Sequence, residues 1–371
     1  MQTSKTMQTS ELKTVIGAIS GTSMDGIDIA ILETDGESVV RTGAGCMVPY
    51  PVDLRKDLQA FLNDPSRATH DPMFDLELRV TDAFTQAIRF FMKKEGLERT
   101  HVDLIGLHGQ TVYHRPEKRF TRQLGDGQRM ARELGINVVD GFRLADVAAG
   151  GHGAPFAPLY HAALARNLQQ PLMVLNLGGV GNITYLDGDV VVAFDTGPAS
   201  ALIDDLVLRR FGVPFDDGGR IAKRGTVDSA ILAELMANPF FSLPAPKSLD
   251  RNDFHRRAKI VESLGDDDAV ATLAAFTIEA TVAALEHVPI KPLRWLVTGG
   301  GRHNQTFMQG LSQRLNVVVE SVEVVGWNGD LIEAQCFAYL AARSMVGLPL
   351  SLPATTGVPY PMLGGILKRA A

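Results

Sequence analysis

One pattern occurs twice in this chain of 371 residues, and it limits the possible folds more than any other feature. Residues 15–32 read VIGAISGTSMDGIDIAIL, which is two apolar runs around a polar turn that contains glycine. Residues 171–197 repeat this order in other letters and add a third apolar run that ends at Asp195. Short runs rich in Ile and Val around a glycine turn predict antiparallel strands. Their recurrence predicts an internal duplication.

Helical patterns follow each predicted hairpin. Between Asp71 and Lys94, apolar residues recur at helical intervals, namely at Phe74, Leu78, Ala83, Ile88 and Phe91. Further helices are predicted at 199–211, 267–287, 304–315 and 331–346. Between the two hairpins, residues 102–111 read as a buried strand that ends in a polar loop, His108 to Thr111.

The length of the chain exceeds that of one typical core, so we expect two domains. The order of hairpin, helices, hairpin and helices predicts two α/β domains with a cleft between them. Residues 1–168, completed by 347–371, would form the first domain, and residues 169–346 the second.

Composition narrows the possible partners. The net charge is −6, and no basic run interleaved with aromatic residues is present, which argues against nucleic acid. Cys46 and Cys336 lie far apart and have no CxxC partner, so a disulfide framework is not expected. The first ten residues lack the apolar stretch of a secretion signal, and no run approaches the roughly 20 apolar residues that span a bilayer. These features predict a cytoplasmic protein without a membrane partner.

The first glycine turn, GTSMDGID (21–28), carries more polar groups than a hairpin requires. Glycines bring successive N–H groups close to an anion, and the hydroxyls of Thr22 and Ser23 add donors. Asp25 and Asp28 are of the type that holds a divalent cation in phosphate-transfer sites. A tight hairpin with polar residues facing solvent accounts for this turn equally well.

Three later segments also suggest ligand contacts. In LNLGGVGN (175–182), Asn182 follows a glycine turn that leads into a strand and not a helix, unlike the dinucleotide fingerprint. Asp195 stands at the end of a strand, where ligands bind in α/β sheets, although a helix-capping role competes. The three glycines of TGGGRHN (298–304) make room for a flat group such as adenine. No HExxH, GxSxG or CxxC motif is present, and His108 and His152 lie in glycine-rich segments that suit substrate binding.

Taken together, these strings closely resemble the anhydro-N-acetylmuramic acid kinase family. The resemblance spans almost the whole chain, in order, and includes GTSMDGID, HGQTVYHRP, FRLADVAAGGHGAP, LNLGGVGNITY, FDTGP, PKS and GGGRHN. It implies the duplicated actin-like, ribonuclease H-like fold of sugar kinases, heat-shock chaperones and actin, with the active site in the cleft. It also implies ATP and Mg²⁺ as cofactors and a homodimer. The implied reaction opens the anhydro ring of 1,6-anhydro-N-acetylmuramic acid with water and phosphorylates the freed 6-oxygen.

The resemblance assigns roles residue by residue. Asp195 would be the general base that deprotonates water. ATP would be bound by Gly21, Thr22, Ser23, Met24, Asp25, Gly26, Ile27, Asp28, Gly178, Gly179, Asn182, Gly299, Gly300, Gly301 and Asn304, with Asp25 and Asp28 also holding the metal. The sugar and its lactyl group would contact His108, Thr111, Arg143, Asp146 and Glu333.

Some positions depart from the family pattern. Gly141 precedes Phe142 where an acidic residue is expected, Ser200 replaces a common Asn, and LDRNDF follows PKS. Two alternatives stay open: another sugar or carboxylate kinase of this fold with a hydroxyl acceptor, and an ATP-hydrolysing regulatory switch.

Overall fold

The computed structural model describes residues 11–21, 24–62, 65–249 and 254–370, and the chain divides into two compact units. The first unit contains the chain up to Leu164, together with Leu331–Pro353 and the residues from Val358 onward. The second unit contains Ala165–Asp330 and Ala354–Gly357.

The elements follow one another in a regular order. The strands are β1 (Lys13–Ser20), β2 (Gly26–Thr34), β3 (Val40–Pro49), β4 (Leu104–Arg115), β5 (Phe120–Leu124), β6 (Val138–Asp140), β7 (Leu172–Leu177), β8 (Val180–Asp187), β9 (Val190–Pro198), β10 (Arg294–Thr298), β11 (Val318–Ser321) and β12 (Ile366–Lys368). The α-helices are α1 (Val52–Leu62), α2 (Phe74–Lys94), α3 (Gly127–Leu134), α4 (Leu144–Ala148), α5 (Pro158–Leu164), α6 (Ala201–Phe211), α7 (Arg220–Arg224), α8 (Ser229–Met236), α9 (His255–Ala258), α10 (Asp266–Ala283), α11 (Gln305–Leu315), α12 (Ile332–Met345) and α13 (Pro353–Thr356).

Both units are built on the same sheet topology. The first sheet has the order β12-β6-β4-β1-β2-β3, with β5 paired to β4, and the second has the order β11-β10-β7-β8-β9. In each sheet, three consecutive antiparallel strands are followed by two parallel ones, β4 and β6 in the first and β10 and β11 in the second. The structure thus confirms the α/β class and the internal duplication.

Helix α2 covers one face of the first sheet. It buries Val80, Phe84, Ile88 and Phe91, whose spacing of four, four and three residues forms one stripe. The predicted stripe was wrong at its start: Phe74 and Leu78 are exposed because they lie off the side of the helix that faces the sheet.

Helix α12 packs on the opposite face of the same sheet. Gly17 of β1 and Gly106 of β4 allow this close approach, since a Cβ atom at either position would overlap the α12 backbone, at Ala334 and Phe337 respectively. The sequence-based boundary assigned residues 331–346 to the second domain. In the structure the chain returns to the first unit at Leu331, because the apolar side of α12 is buried against β1, β2 and β4.

Helix α10 forms the centre of the second unit. With the turn that follows, Asp266–His287 is the one helix in the described ranges that is long and apolar enough to cross a bilayer, and 67% of its most apolar window is buried. It packs against α6, α7, α8, α11 and β9. Its apolar composition is therefore that of a core helix.

Candidate active site

The first glycine turn joins β1 to β2. Thr22 and Ser23 lie outside the described residues. Met24 is buried in a left-handed conformation, with φ of 54°, and its N–H donates to the carbonyl oxygen of Gly21 at 3.2 Å. Gly26 is required by packing, because a Cβ atom there would lie 2.6 Å from the Val48 carbonyl oxygen.

The two carboxylates of this segment have different surroundings. Asp25 is exposed and forms an ion pair with Arg55. Asp28 lies within β2 and not in the turn; it pairs with Ile19 and points away from the core face that holds Ile27 and Ile29. Across the described ranges, no group of three or more His, Cys, Asp or Glu residues is arranged to hold a metal ion.

Gln110 is hydrogen-bonded to the start of this turn, a contact that the sequence did not predict. Its side chain is buried, and Nε2 donates to the carbonyl oxygens of Gly21 at 3.3 Å and of Thr111 at 3.2 Å. The Tyr50 hydroxyl donates to Gln110 Oε1 at 3.5 Å. The polar segment HGQT marks this part of the sequence as unusual. Nothing in the sequence, however, indicates that Gln110 contacts Gly21.

His108 occupies a β-bulge, and the predicted polar loop here was wrong. Strand β4 continues to Arg115, and its pairing with β1 skips His108: Ala18 pairs with Leu107, and Ile19 with Gly109. Gly109 accommodates the bulge with φ of 77°. A bulge turns one side chain out of the regular alternation, which is common beside active sites.

The tautomer of His108 follows from its contacts. Nδ1 donates to the Gly109 carbonyl oxygen at 3.0 Å, so Nε2 is the acceptor for Arg143 Nε at 2.9 Å. Burial, and then the neighbouring guanidinium, hold the pKa of His108 well below its usual value. The imidazole is therefore neutral, and it packs on the ring of Phe337 with centroids 4.4 Å apart.

The other predicted sugar-binding residues of the first unit divide into two groups. Arg143 donates to the Gly153 carbonyl oxygen at 2.5 Å, and its charge lowers the pKa of Glu333, which burial raises. Arg143 is thus hydrogen-bonded to neutral His108 and interacts electrostatically with Glu333. Asp146 is buried and accepts hydrogen bonds from Gly153 N–H at 2.7 Å and from the Ser351 hydroxyl, so its carboxylate orders the glycine loop.

Thr111 lies one residue beyond Gln110 on β4 and is partly buried. Its hydroxyl accepts a hydrogen bond from Gln123 Nε2 at 3.3 Å. The structure therefore connects Thr111 to β5 and not to the pair formed by His108 and Arg143.

In the second unit, polar side chains form a row across four strands. Asn176 of β7 pairs with Asn182 of β8 and with Thr298 of β10, and Asn182 pairs with Asp195 of β9. Paired residues share a face of the sheet, here the face opposite the core that contains Leu175. The row lies near the carboxyl ends of β7 and β10, and ligands bind at the carboxyl ends of the strands in open α/β sheets. Asn176 was missed because a lone Asn inside an apolar strand has no sequence signature.

A second β-bulge places Asp195 in that row. Gly181 pairs with Gly197, but Asn182 pairs with Asp195, so Thr196 has no partner across the ladder. Burial raises the pKa of Asp195 to about 7, although a hydrogen bond from the N–H of Leu249 to Oδ2 at 2.8 Å lowers it. A carboxyl group with this pKa suits proton transfer near neutral pH.

The five glycines of the second unit that were predicted to contact ATP fall into two classes. Gly299, with φ of 77°, and Gly301, where a Cβ atom would lie 2.5 Å from that of Leu177, are required by the fold. Gly300 is not, since a Cβ atom there would meet nothing within 4 Å. At Gly178 and Gly179 an added Cβ would make only ordinary contacts, at 3.6 and 3.4 Å. Neither backbone strain nor packing requires glycine at these three positions, so they are suited to the close approach of a ligand.

Asn304 has a structural role at the end of this segment. Its Oδ1 accepts hydrogen bonds from the N–H groups of Thr306 at 3.0 Å and Phe307 at 3.1 Å, and so caps helix α11. This contact satisfies the side-chain oxygen within the protein.

Comparison with known proteins decides the family. A family model described as anhydro-N-acetylmuramic acid kinase matches residues 13–369. The chain belongs to the anhydro-N-acetylmuramic acid kinase family. A relative of that name from Nitrobacter winogradskyi is 46% identical over 367 residues, which cover 96% of this chain and 100% of the relative. Another, from Acidiphilium cryptum, is 48% identical over 359 residues, covering 95% and 98%.

Solved structures show more distant similarity. Component A of the (R)-2-hydroxyglutaryl-CoA dehydratase of Acidaminococcus fermentans has a TM-score of 0.47 at 13% identity, covering 89% of this chain and 99% of its own. A ROK family glucokinase from Streptomyces griseus, in complex with glucose and AMPPNP, has a TM-score of 0.40 at 14% identity, covering 88% and 99%. The anhydro-N-acetylmuramic acid kinase family is accordingly assigned from sequence, over nearly the whole chain.

Proposed function

We propose that this anhydro-N-acetylmuramic acid kinase uses ATP and one water molecule to convert 1,6-anhydro-N-acetylmuramic acid into N-acetylmuramic acid 6-phosphate and ADP. The observation that carries the proposal is the family match over residues 13–369. Asp195, a carboxyl group of raised pKa at the carboxyl edge of a sheet, agrees with it.

The chemical step balances with Asp195 as the general base. Asp195 takes a proton from water as the water oxygen bonds to the anomeric carbon of the sugar. The bond between that carbon and the bridging 6-oxygen breaks, and the 6-oxygen takes the γ-phosphoryl group of ATP as the bond between the γ-phosphorus and the β,γ-bridging oxygen breaks and ADP leaves. Asp195 then releases its proton to solvent. Positioning and charge neutralisation supply most of the catalysis of phosphoryl transfer.

Residues 21–28 and the glycines at 178, 179 and 300 would accept the nucleotide. The support is that glycine is not required for packing at these last three positions, while Gln110 holds Gly21 at the start of the first turn. A phosphate approaching backbone N–H groups accounts for glycine at the three open positions. Asn182 adds an amide donor in the same row as Asp195.

Arg143, Glu333 and neutral His108 would bind the sugar. The substrate carries a lactyl carboxylate, which suits a guanidinium donor. In the first unit, Arg143 is a partly buried cation that donates to His108, so its orientation is set before substrate arrives.

Mg²⁺ would be held mainly by the ATP phosphates, with Asp28 or Asp25 supplying protein oxygen. When bound, it neutralises phosphate charge. Two carboxylates fit this use, because magnesium in kinase sites takes one or two carboxylates besides phosphate and water. Removal of Mg²⁺ with EDTA should abolish turnover, and added Mg²⁺ should restore it.

Product analysis in ¹⁸O-labelled water tests the reaction. Hydrolytic phosphorylation places the label on the anomeric hydroxyl of the sugar phosphate. A hydroxyl-accepting sugar kinase would give unlabelled product, and a regulatory switch would form labelled inorganic phosphate without any sugar phosphate. Either of these two results would contradict the proposal.

Asp195→Asn tests the base. The amide keeps the shape and the hydrogen bond from Leu249, but it cannot take a proton. We expect turnover to fall by more than about a thousandfold while ATP affinity stays within about threefold. Asp189→Asn, in the exposed turn of the same hairpin, is the matched control and should retain activity. Near-normal turnover of Asp195→Asn would show that the base lies elsewhere.

We also propose a homodimer and a cytoplasmic location, as the family resemblance implies. Light scattering coupled to size-exclusion chromatography would report the mass of the particle, and cell fractionation its location.

A further inference from the structure

The segment 247–249 is hydrogen-bonded to Asp195 twice. The N–H of Asp195 donates to the Lys247 carbonyl oxygen at 2.9 Å, and the N–H of Leu249 donates to Asp195 Oδ2 at 2.8 Å. Both bonds occur at the bulge of β9, where the regular ladder is interrupted. The direction of the Asp195 carboxylate therefore depends on where residues 247–249 lie.

The side chain of Lys247 anchors this segment inside the second unit. The residue is 6% exposed, and Nζ lies 3.1 Å from the Phe240 carbonyl oxygen, 3.0 Å from that of Phe241 and 3.1 Å from His287 Nε2. An ammonium group has three donors. Two of them have the carbonyl oxygens of Phe240 and Phe241 as acceptors, while His287 Nε2 lies within hydrogen-bond distance of both Nζ and the Phe241 carbonyl oxygen, at 3.0 Å from the latter. Nζ also lies 4.9 Å from the centre of the Phe240 ring, within cation–π range.

These contacts join Lys247 to a turn six to seven residues earlier in the chain and to His287, 40 residues later. Phe240 and Phe241 belong to the turn Pro239–Ser242, and His287 ends the helical segment that begins with α10. The His287 ring meets the ring of Phe194, the neighbour of Asp195, edge to face at 5.5 Å. Without the ammonium group, the Phe240 carbonyl would keep only the N–H of Leu243 and the Phe241 carbonyl only His287 Nε2, so the turn Pro239–Ser242 would lose its side-chain tie to residue 247.

We propose that Lys247 is a positioning residue for the general base: its ammonium group fixes residues 247–249 so that the N–H of Leu249 directs the Asp195 carboxylate. The inference rests on the proposed function, in which Asp195 takes the proton of water. A displacement of about 1 Å at a reacting group can cost about a hundredfold in rate. Lys247 acts through Asp195 and has no assigned contact with the substrates.

Lys247→Met is the first test, since Met keeps an unbranched side chain and removes the charge. We expect kcat to fall at least tenfold while KM for ATP stays within threefold. Lys291→Met, which removes an exposed lysine from the same unit, is the matched control and should behave like the wild type.

The pH profile separates positioning from general structural support. Weakening the bond from Leu249 removes a contact that favours the carboxylate, so the acidic limb of the kcat profile should move to higher pH in Lys247→Met. The titratable groups that face Lys247 in the described ranges are His287 and Glu286. Burial lowers the pKa of Lys247 to about 8, so profiles taken below about pH 7.5 keep its charge in the wild type.

His287→Ala gives a second, milder variant if Lys247→Met fails to fold. It removes one of the three groups within hydrogen-bond distance of Nζ and should shift the acidic limb in the same direction by a smaller amount. The positioning role is overturned if kcat is unchanged, or if kcat and the melting temperature fall while the acidic limb stays at its wild-type pH. Failure of the base assignment is a different result, namely activity retained by Asp195→Asn.

Discussion

At the scale of single residues, burial makes the carboxyl group of Asp195 a weaker acid than an exposed aspartate. A general base works in its deprotonated form, so kcat should rise with pH through about 7 and then level off. Below the midpoint the rate should fall about tenfold per pH unit. Steady-state assays at saturating substrates between about pH 5 and 9 measure this limb. A flat profile across the range would contradict the assignment.

Gly300 and Gly301 offer a second test at this scale, because they are neighbours with different reasons to be glycine. Gly300→Ala meets no protein atom and should leave the melting temperature unchanged while it raises KM for ATP severalfold. Gly301→Ala would press against Leu177 and should destabilise the fold by about 1–3 kcal/mol. Thermal denaturation and ATP titration of the two variants, run side by side, separate the effects. If Gly300→Ala left KM for ATP unchanged, that glycine would not face the nucleotide.

At the scale of elements, the two β-bulges matter most. One turns His108 out of the ladder of β4, and the other places Asp195 opposite Asn182. A bulge moves the side chain that follows it to the other face of the sheet. The alternation of apolar residues in a sequence does not reveal where a bulge lies. For this reason the HGQT segment reads as a loop in the sequence, although it lies within a strand.

Gln110, on β4, is hydrogen-bonded to Gly21 at the start of the first glycine turn. Gln110→Ala should raise the Kd for ATP by about fivefold to thirtyfold, because a partly buried hydrogen bond to Gly21 is lost, worth about 1–2 kcal/mol. Gln123→Ala, which removes a partly buried glutamine from β5, is the matched control. Nucleotide titration followed by calorimetry measures the change. Equal ATP affinity in the two variants would show that the hydrogen bond from Gln110 to Gly21 does not contribute to ATP binding.

The sequence predicted the elements better than their partners. Strands β1, β2, β7 and β8 and helices α6, α10 and α11 begin and end within a few residues of prediction, because apolar spacing is a local property. The side chains that surround the candidate groups were not predicted. Lys247 lies 52 residues from Asp195, and Gln110 lies 89 from Gly21, and contacts at such separation are set by how sheets and helices pack.

At the scale of the whole molecule, the sequence-based boundary assigned α12 to the second unit, whereas the helix belongs to the first. The sequence of the helix itself does not indicate which sheet it packs against. The information lies in Gly17 and Gly106, which leave the space that α12 fills. Two glycines in separate strands do not indicate a distant helix until the sheet is formed.

Gly17→Val tests the dependence of the first unit on this packing. The added side chain would collide with α12, so the first unit should lose at least about 2 kcal/mol of stability. Trp295 and Trp327, the two tryptophans, both belong to the second unit and report on it alone. In urea titrations, we expect the unfolding transition of Gly17→Val seen by circular dichroism to begin at a lower urea concentration than that of the wild type. The midpoint of the transition seen by tryptophan fluorescence should not change. A circular dichroism transition identical to that of the wild type would contradict this.

The late return of α12 has a consequence for synthesis on the ribosome. Nearly all of the second unit is continuous in the chain, from Ala165 to Asp330, whereas the first unit needs a helix that is made after it. Until residue 345 has emerged, β1 and β4 expose the face that α12 will cover. We therefore expect the reverse of the usual order, in which N-terminal domains fold first during translation. Until the second half is completed, the nascent first half would carry an uncovered sheet face that is prone to aggregation.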